Sequence, residues 1–386
     1  MVSCERPGCM VDESMERLSS KTTLFKEWCL LLLLFLLFVL LFSSWPMFHY
    51  NNNLMQRIIV IIFILHVSNR LLYALIKNET ASPLLKNGML MVWALTVTFL
   101  ILEALFMFVP RSHGVGYSLA AKNWVRYYWK PLNTLGYRDK EVQGIPGKKN
   151  IVIVGDSFVA GQGINNPECR FSNLLEKKLG GQYRVYNLGR CGADTRVEYD
   201  DLMKFPVKPD ILILAYLGND IDAIAYKKYK EFSGFALYSD LYPAAKPFVQ
   251  YSYLINYIYW LFPHADTAPY FNLLKNAYQD EELFSEHMQD LDEFIGYSLK
   301  EEIPFIVLLF PFMIDYGLNE AYMEKIAHYF SSRGIPVVNV ADSIAGVPQR
   351  KRIINSNDGH PSVYVNKLVA DALYGMVLSL ERTPEK

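Results

Sequence analysis

The sequence predicts an α/β domain with a mostly parallel sheet, preceded by N-terminal transmembrane helices. From residue 151 to the C-terminus, short β-branched runs alternate with segments of helical period, as expected for βαβ units. Before residue 111, three apolar stretches have the length of a bilayer-spanning helix, about 20 residues. The hydrophobic fraction of 52% is high for a soluble protein and agrees with such spans.

The charge balance and the cysteines argue against several classes of function. Lys and Arg together number 38, and Asp and Glu number 39, so we expect no nucleic-acid surface and no acidic tail. The five cysteines form no CxxC pair and have no histidine at zinc spacing, so we expect neither a metal nor a cofactor. Cys169 and Cys191 fall in one predicted domain, where they either pair or remain separate thiols.

The membrane region is predicted at 24–110, after a polar N-terminal tail at 1–23. It contains about three spans, at 24–42, 58–76 and 89–109. The first span has no charge over 29–42 and no small-residue cleavage site after Phe42, which favours an anchor over a signal peptide. The second and third carry Arg70 and Glu103 close to their ends, where charged side chains reach the interface.

The orientation of these spans is not decided by their flanking charges, since five Lys and Arg residues lie on each side. Three spans place the C-terminal domain on the side opposite the N-terminus. We expect that side to be non-cytoplasmic, because the chemistry described below suits a substrate of the cell envelope.

A connector is predicted at 111–149, where the aromatic residues Tyr127, Tyr128 and Trp129 suit a membrane interface. The α/β domain follows at 150–386. Its predicted strands lie at 151–154, 184–187, 210–216, 304–310 and 336–340, and its predicted helices at 171–179, 280–300, 320–331 and 364–380. An aromatic-rich insertion at 226–276 interrupts this alternation. Three roles are open for it: an extra helix packed on the domain, contact with substrate, or contact with the membrane surface.

Four short motifs, three of them just past predicted strands, carry the candidate chemistry. In chain order they are Gly155-Asp156-Ser157, the loop 187–194, Gly218-Asn219-Asp220 and Asp358-Gly359-His360-Pro361. Each motif alone is weak, since a turn capped by Ser or Asp gives the same pattern. In an open α/β sheet, however, loops at the carboxyl ends of the strands converge on one edge.

This ordered set resembles the SGNH family of serine hydrolases, also called GDSL-type esterases, over roughly residue 133 to the C-terminus. The resemblance implies a three-layer α/β/α domain with Ser157 as nucleophile and His360 as general base. It also implies an oxyanion hole formed by the Ser157 N–H, the Gly192 N–H and the Asn219 side chain. Gly189 is an alternative to Gly192, although the Asn-x-x-x-x-Gly-x-x-Thr pattern of the family fits Asn187, Gly192 and Thr195, so the resemblance favours Gly192.

The acidic partner of His360 differs from the commonest family pattern. Most members place Asp three residues before the histidine, where this chain has Asn357, whereas Asp358 stands two residues before it. The shorter spacing resembles that of bacterial polysaccharide O-acetyltransferases, so we assign Asp358. Asp156 and Asp220 are expected to stabilise turns. A structural or surface role is predicted for the remaining histidines, His49, His66, His113, His264, His287 and His328.

The sequence therefore predicts a membrane-anchored serine esterase that acts through an acyl-Ser157 intermediate on an acylated glycan or lipid of the cell envelope. Transfer of the acyl group to a sugar hydroxyl would make it an O-acetyltransferase instead, working with envelope polysaccharide machinery. A third possibility is a catalytically silent domain that binds glycan or assists assembly, against which stand the intact Ser157, Gly192, Asn219 and His360.

Overall fold

The computed structural model describes residues 53–115, 117–144, 146–229, 238, 240–262, 267–314 and 317–382. The predicted tail at 1–23 and the predicted first span at 24–42 lie outside the described residues. The chain divides into two compact units. One comprises Met1–Val109 and Leu241–Ile258, and the other comprises Pro110–Asp240 and Tyr259–Lys386.

The described helices are α1 Asn53–Lys77, α2 Pro83–Phe106, α3 Leu119–Tyr128, α4 Ser157–Ala160, α5 Phe171–Leu179, α6 Thr195–Lys204, α7 Asp222–Lys228, α8 Lys246–Tyr251, α9 Tyr253–Tyr259, α10 Ala268–Gln279, α11 Glu281–Glu301, α12 Asn319–Ser331, α13 Val340–Ser343, α14 Gln349–Arg352 and α15 Val363–Arg382. Short 3₁₀ turns lie at Pro167–Cys169 and Gly180–Gln182. The strands are β1 Lys149–Gly155, β2 Tyr183–Gly189, β3 Ile211–Tyr216, β4 Phe305–Leu309, β5 Val337–Asn339, β6 Ile353–Asn355 and β7 Asp358–Pro361.

Helices α1 and α2 contain apolar stretches long enough to cross a membrane, Val60–Lys77 and Pro83–Phe106. The second begins earlier than the predicted span at 89–109. Pro83 lies in its first turn, where a missing N–H costs nothing, and the Ser82 hydroxyl caps the helix by accepting from the Leu85 N–H at 3.3 Å. Proline therefore starts this helix instead of preceding it.

Glu103 of α2 is buried and binds the start of α9 within the same unit. Its carboxylate accepts from the Ser252 hydroxyl and the Tyr253 N–H, each at 2.7 Å, and from the Leu254 N–H at 3.0 Å. A negative charge at a helix N-terminus is stabilised by the unpaired amides and the helix dipole. The aromatic-rich insertion is divided between the two units, since 241–258 belong to the unit of the apolar helices and the rest belongs to the other unit.

The α/β unit is built on a five-stranded parallel sheet of order β2-β1-β3-β4-β5, which confirms the predicted fold class. Strands β2, β3 and β4 are buried at every residue and β1 from Ile151 onward, as in parallel sheets covered by helices, whereas β5 is only partly buried. In β1, Val152 and Val154 face one hydrophobic core, whereas Ile151 and Ile153 face the other. Helices α6, α7, α10, α11 and α12 contribute to the first core, and α4, α5, α13 and α15 to the second. The unit thus has three layers.

Helix α15 also has the length and apolar character of a span, over Val363–Glu381. Its buried side chains, among them Val365, Val369 and Leu373, pack with strand residues in the second core. Its apolar face is therefore part of the α/β unit.

The strand order reverses direction at β1. The chain passes from β1 to β2 through α5 on one face and returns from β2 to β3 through α6 on the other. A crevice opens at the carboxyl end of the strand where such a reversal occurs. In this chain that position is held by Gly155, Asp156 and Ser157.

We predict that Gly189→Ala destabilises the α/β unit. A Cβ at Gly189 would lie 2.0 Å from the backbone nitrogen of Ala160 in α4, so the helix that carries Ser157 would have to move. Overpacking of this kind typically costs about 1–3 kcal/mol and sometimes more. The thermal midpoint should fall by about 5 °C or more. Gly296→Ala, in α11 with open space around it, is the control and should be neutral or slightly stabilising.

Candidate active site

Ser157 lies on a tight turn between β1 and α4. Asp156 caps this short helix by accepting from the Phe158 N–H at 2.8 Å. Gly155 permits the turn, since a Cβ there would lie 2.4 Å from the Val159 side chain. The turn holds the Ser157 side chain at the carboxyl edge of the sheet, with 9% of the residue exposed.

Ser157, His360 and Asp358 form a hydrogen-bonded chain. Ser157 Oγ lies 2.8 Å from His360 Nε2, and His360 Nδ1 lies 2.6 Å from Asp358 Oδ1. Because the ionised Asp358 carboxylate can only accept, Nδ1 carries the proton and Nε2 is left to accept from the serine hydroxyl. The short hairpin β6–β7 holds Asp358 and His360, where the sequence predicts only a loop.

The charged forms of His360 and Asp358 stabilise each other. Burial alone would lower the pKa of His360, but the charge and hydrogen bond of Asp358, with a smaller contribution from Asp156, raise it above its usual value of 6.5. Burial would raise the pKa of Asp358, but His360, the Ser112 hydroxyl and the His360 N–H hold it below its usual value. An ionised carboxylate beside a basic imidazole results.

Among the described residues, the Asn357 side chain makes its hydrogen bond to a residue other than His360. Its side-chain amide donates to the Trp260 carbonyl, and the backbone carbonyl accepts from the Gly114 N–H at 2.8 Å. Of Asn357 and Asp358, only Asp358 places a side-chain oxygen within hydrogen-bond distance of the imidazole.

Three of the four positions predicted for the oxyanion hole, Asn219, Gly189 and Gly192, differ in their surroundings. Asn219 lines the cavity beside Ser157, and its Nδ2 donates to Asp156 Oδ2 at 3.1 Å. The Gly189 N–H is already engaged, since it donates to Asn187 Oδ1 at 3.0 Å. Gly192 is exposed in the loop after β2 with a φ of 73°, a left-handed conformation that favours glycine. It is not among the residues that line the cavity.

Residues just after Pro110 complete the site, although the sequence predicts a connector there. Ser112 is buried and donates its hydroxyl to Asp358 Oδ2. The Ser112 carbonyl accepts from Asn355 Nδ2 at 3.0 Å, which ties this segment to the β6–β7 hairpin. No sequence signal indicates Ser112, because it stands in an irregular segment far from the motif that it supports.

A cavity of about 240 Å³ adjoins Ser157, Asn219 and His360. Its other lining residues come from several segments of the α/β unit: His113, Gly114, Val115, Asp156, Phe158, Leu217, Trp260, Thr267, Tyr270, Phe271, Phe312, Met313, Ile314, Ser356, Asn357 and Gly359. His113, for which the sequence predicts only a structural or surface role, is one of them. The end of the aromatic-rich insertion also contributes, through Trp260, Tyr270 and Phe271.

Buried carboxylates lie beneath the loop that carries Asn219. Glu198 and Asp220 are 1% and 2% exposed, and burial together with neighbouring negative charges holds the pKa of each well above its usual value. The Thr195 N–H donates to the Asp220 carbonyl at 3.3 Å, which brings the first turn of α6 to this loop. Among the described residues, nothing hydrogen-bonds either carboxyl oxygen of Glu198. Burial and the neighbouring negative charges therefore both favour the neutral, protonated form of Glu198.

Cys169 and Cys191 are free thiols, so the two alternatives considered for this pair are resolved in favour of separate cysteines. The other three cysteines lie outside the described residues. Within the part of the chain that the structure describes, no group of three or more His, Cys, Asp or Glu side chains is arranged to hold a metal ion.

Comparison with solved structures finds several similar folds. TesA matches at 16% identity with a TM-score of 0.37, over 60% of this chain and 99% of its own. A member of the lipolytic protein G-D-S-L family from Veillonella parvula matches at 12% identity and 0.34, over 62% and 100%. A carbohydrate acetylesterase family member from Sinorhizobium meliloti matches at 12% identity and 0.34, over 60% and 98%. No protein-family model and no curated protein matches the chain.

We predict that Glu198→Gln changes how stability depends on pH. The carboxyl of Glu198 ionises near its usual pKa when the chain unfolds but stays protonated in the fold. Above about pH 4.3 the unfolded state therefore binds fewer protons than the folded state. As a result, this group lowers the free energy of unfolding as the pH rises, by up to about 1.4 kcal/mol per pH unit. The glutamine variant lacks this loss.

Urea unfolding at pH 5, 6, 7 and 8 measures the effect. The stability advantage of Glu198→Gln over the wild type should grow with pH, while the exposed Glu324→Gln serves as control. A constant difference across this range would mean that Glu198 is already ionised in the fold.

Proposed function

We propose that the protein is a membrane-anchored serine esterase that cleaves ester bonds through an acyl-Ser157 intermediate. The observation that carries the proposal is the chain Ser157 Oγ–His360 Nε2 at 2.8 Å and His360 Nδ1–Asp358 Oδ1 at 2.6 Å. A serine hydroxyl is a weak nucleophile and needs an adjacent base that is itself oriented by a third group. Two of the four motifs that resemble the SGNH family, Gly155-Asp156-Ser157 and Asp358-Gly359-His360-Pro361, supply these groups.

The reaction begins when Ser157 Oγ attacks the ester carbonyl and His360 Nε2 takes the serine proton. Asp358 holds the Nδ1–H tautomer and stabilises the imidazolium that forms. His360 then gives the proton to the leaving alcohol, and the C–O bond of the ester breaks. Water attacks the acyl-serine with His360 again as base, which releases the carboxylic acid and restores the free hydroxyl.

The negative oxygen that forms at each attack needs hydrogen-bond donors. We assign this role to the Ser157 N–H and the Asn219 side chain, which line the cavity, with the Gly192 N–H as the third donor that the resemblance to the SGNH family implies. Asp156 accepts one hydrogen of the Asn219 amide at 3.1 Å and so orients the group, which leaves the second hydrogen for the oxyanion. One such donor is typically worth about 10²–10³ in rate.

We further propose that the substrate belongs to the cell envelope, as an acylated glycan or lipid, with the α/β unit on the non-cytoplasmic side. Two helices of the first unit are long and apolar enough to cross a membrane, and an enzyme of freely diffusing esters needs no such segment. If a sugar hydroxyl replaces water in the second half of the reaction, the same residues catalyse O-acyl transfer. The two outcomes differ only in the acceptor.

Intact-mass measurement during turnover of 4-nitrophenyl acetate tests the nucleophile. The wild type should gain one acetyl group and turn over the ester, whereas Ser157→Ala should do neither. Ser331→Ala removes an exposed hydroxyl and is the matched control. Equal turnover in wild type and Ser157→Ala would refute the serine mechanism and favour a non-catalytic binding role.

The pH dependence of kcat/KM tests the base. Because His360 acts in its neutral form and its pKa is raised, activity should rise with pH through a midpoint above 6.5 and then level off. Asp358→Asn removes the charge that raises this pKa, so the midpoint should fall. Activity should drop by about 10⁴-fold because the imidazole tautomer is no longer held.

Asp342→Asn, a change at an exposed position, is the control for that profile. If Asp358→Asn left both the midpoint and the plateau unchanged, Asp358 would not be the partner of the base.

A further inference from the structure

One end of the cavity beside Ser157 is polar and is built around Trp260. The His113 ring meets the Trp260 ring edge to face, with centroids 4.8 Å apart. The Asn357 side chain donates to the Trp260 carbonyl, and the Gly114 N–H donates to the Asn357 carbonyl at 2.8 Å. Asn357 and His360 are separated by only two residues of the hairpin, so this end lies on the His360 side of the cavity.

The other end is apolar and lies beside the loop that carries Asn219. Phe271 and Phe312 meet edge to face, with centroids 5.4 Å apart. A Cβ at Gly218 would lie 2.9 Å from the Phe312 ring, so Phe312 packs directly on this loop. Leu217 and Tyr270 continue the apolar wall.

His113 presents an uncharged hydrogen-bond donor at the polar end. It is 7% exposed, and its burial, against the opposing effect of Asp358 and with a small contribution from Arg111, lowers its pKa to about 4. The Val115 N–H donates to His113 Nδ1 at 3.4 Å, so the proton of the neutral ring is on Nε2. Among the described residues, nothing accepts from this Nε2–H.

Asn357 supplies an acceptor in the same place. Its Oδ1 is buried and has no partner among the described residues. A buried acceptor without a partner is unfavourable, and a hydrogen bond donated by a ligand hydroxyl would offset that cost. His113 and Asn357 both line the cavity and both contact Trp260, and a donor together with an acceptor matches the hydroxyl groups of a polyhydroxylated molecule.

We infer that His113 and Asn357 form a hydroxyl-binding subsite for the alcohol half of the ester, and that this half is a sugar. The inference rests on the proposed esterase function. In that reaction His360 protonates the leaving oxygen, so the alcohol half of the ester lies next to His360. The acyl group then occupies the apolar end near Asn219. His113 is a substrate-binding residue that takes no proton in the reaction.

Two acetyl esters with different alcohols test the subsite on the full-length protein in detergent. They are 4-nitrophenyl acetate, whose alcohol lacks neighbouring hydroxyls, and 6-O-acetyl methyl glucoside. Both pass through the same acetyl-Ser157, so only the alcohol half differs. The variants are His113→Leu, which removes the donor, His113→Gln, which retains an N–H, and His328→Leu as the exposed control.

We expect His113→Leu to lower kcat/KM for the sugar ester about tenfold, the effect of about 1.4 kcal/mol, mainly through KM. The loss on the aryl ester should be clearly smaller than the loss on the sugar ester, and His113→Gln should recover part of the loss on the sugar ester. An equal loss on both esters, no loss, or failure of the wild type to cleave the sugar ester while it cleaves the aryl ester would overturn the subsite. Failure on both esters would overturn the proposed function itself.

Discussion

The buried carboxylate of Asp358 is the charge on which the candidate site depends. It has no exposed surface, and a carboxylate in such a place is stable only when its oxygens are hydrogen-bonded. Its donors are the His360 imidazole, the His360 N–H and the Ser112 hydroxyl. The same bonds that stabilise the charge also set the imidazole tautomer and tie the segment after Pro110 to the β6–β7 hairpin. One set of hydrogen bonds therefore stabilises the charge of Asp358, orients the His360 imidazole and holds the local fold together.

Close backbone packing gives Ser157 its position. The turn at Gly155 and the contact of Gly189 with α4 leave no room for a Cβ at either glycine. These contacts fix the short helix α4 against β1, which lies inside the sheet, and against β2 at its edge. A nucleophile on such a support needs little reorganisation when it reacts, which is the main requirement for catalysis by positioned groups.

The aromatic-rich insertion has two structural roles that its composition does not distinguish. Its middle, 241–258, belongs to the unit of the apolar helices, where Glu103 binds the start of α9. Its end contributes Trp260, Tyr270 and Phe271 to the cavity of the α/β unit. Aromatic residues bury large areas in either setting, so an aromatic-rich segment indicates burial without indicating the partner.

The sequence by itself determined the α/β class, the five strands and the order of the four motifs, because strand and helix periods are local and parallel strands end at one edge of the sheet. It could also place Ser157 and His360 as candidates. The sequence also singles out Asp358, whose carboxylate lies 2.6 Å from His360 Nδ1 in the structure. Only the tertiary structure decided that the Gly189 N–H is already engaged. It also decided that Ser112 and His113 belong to the site. These outcomes depend on contacts between residues far apart in the chain, and no local pattern encodes such contacts.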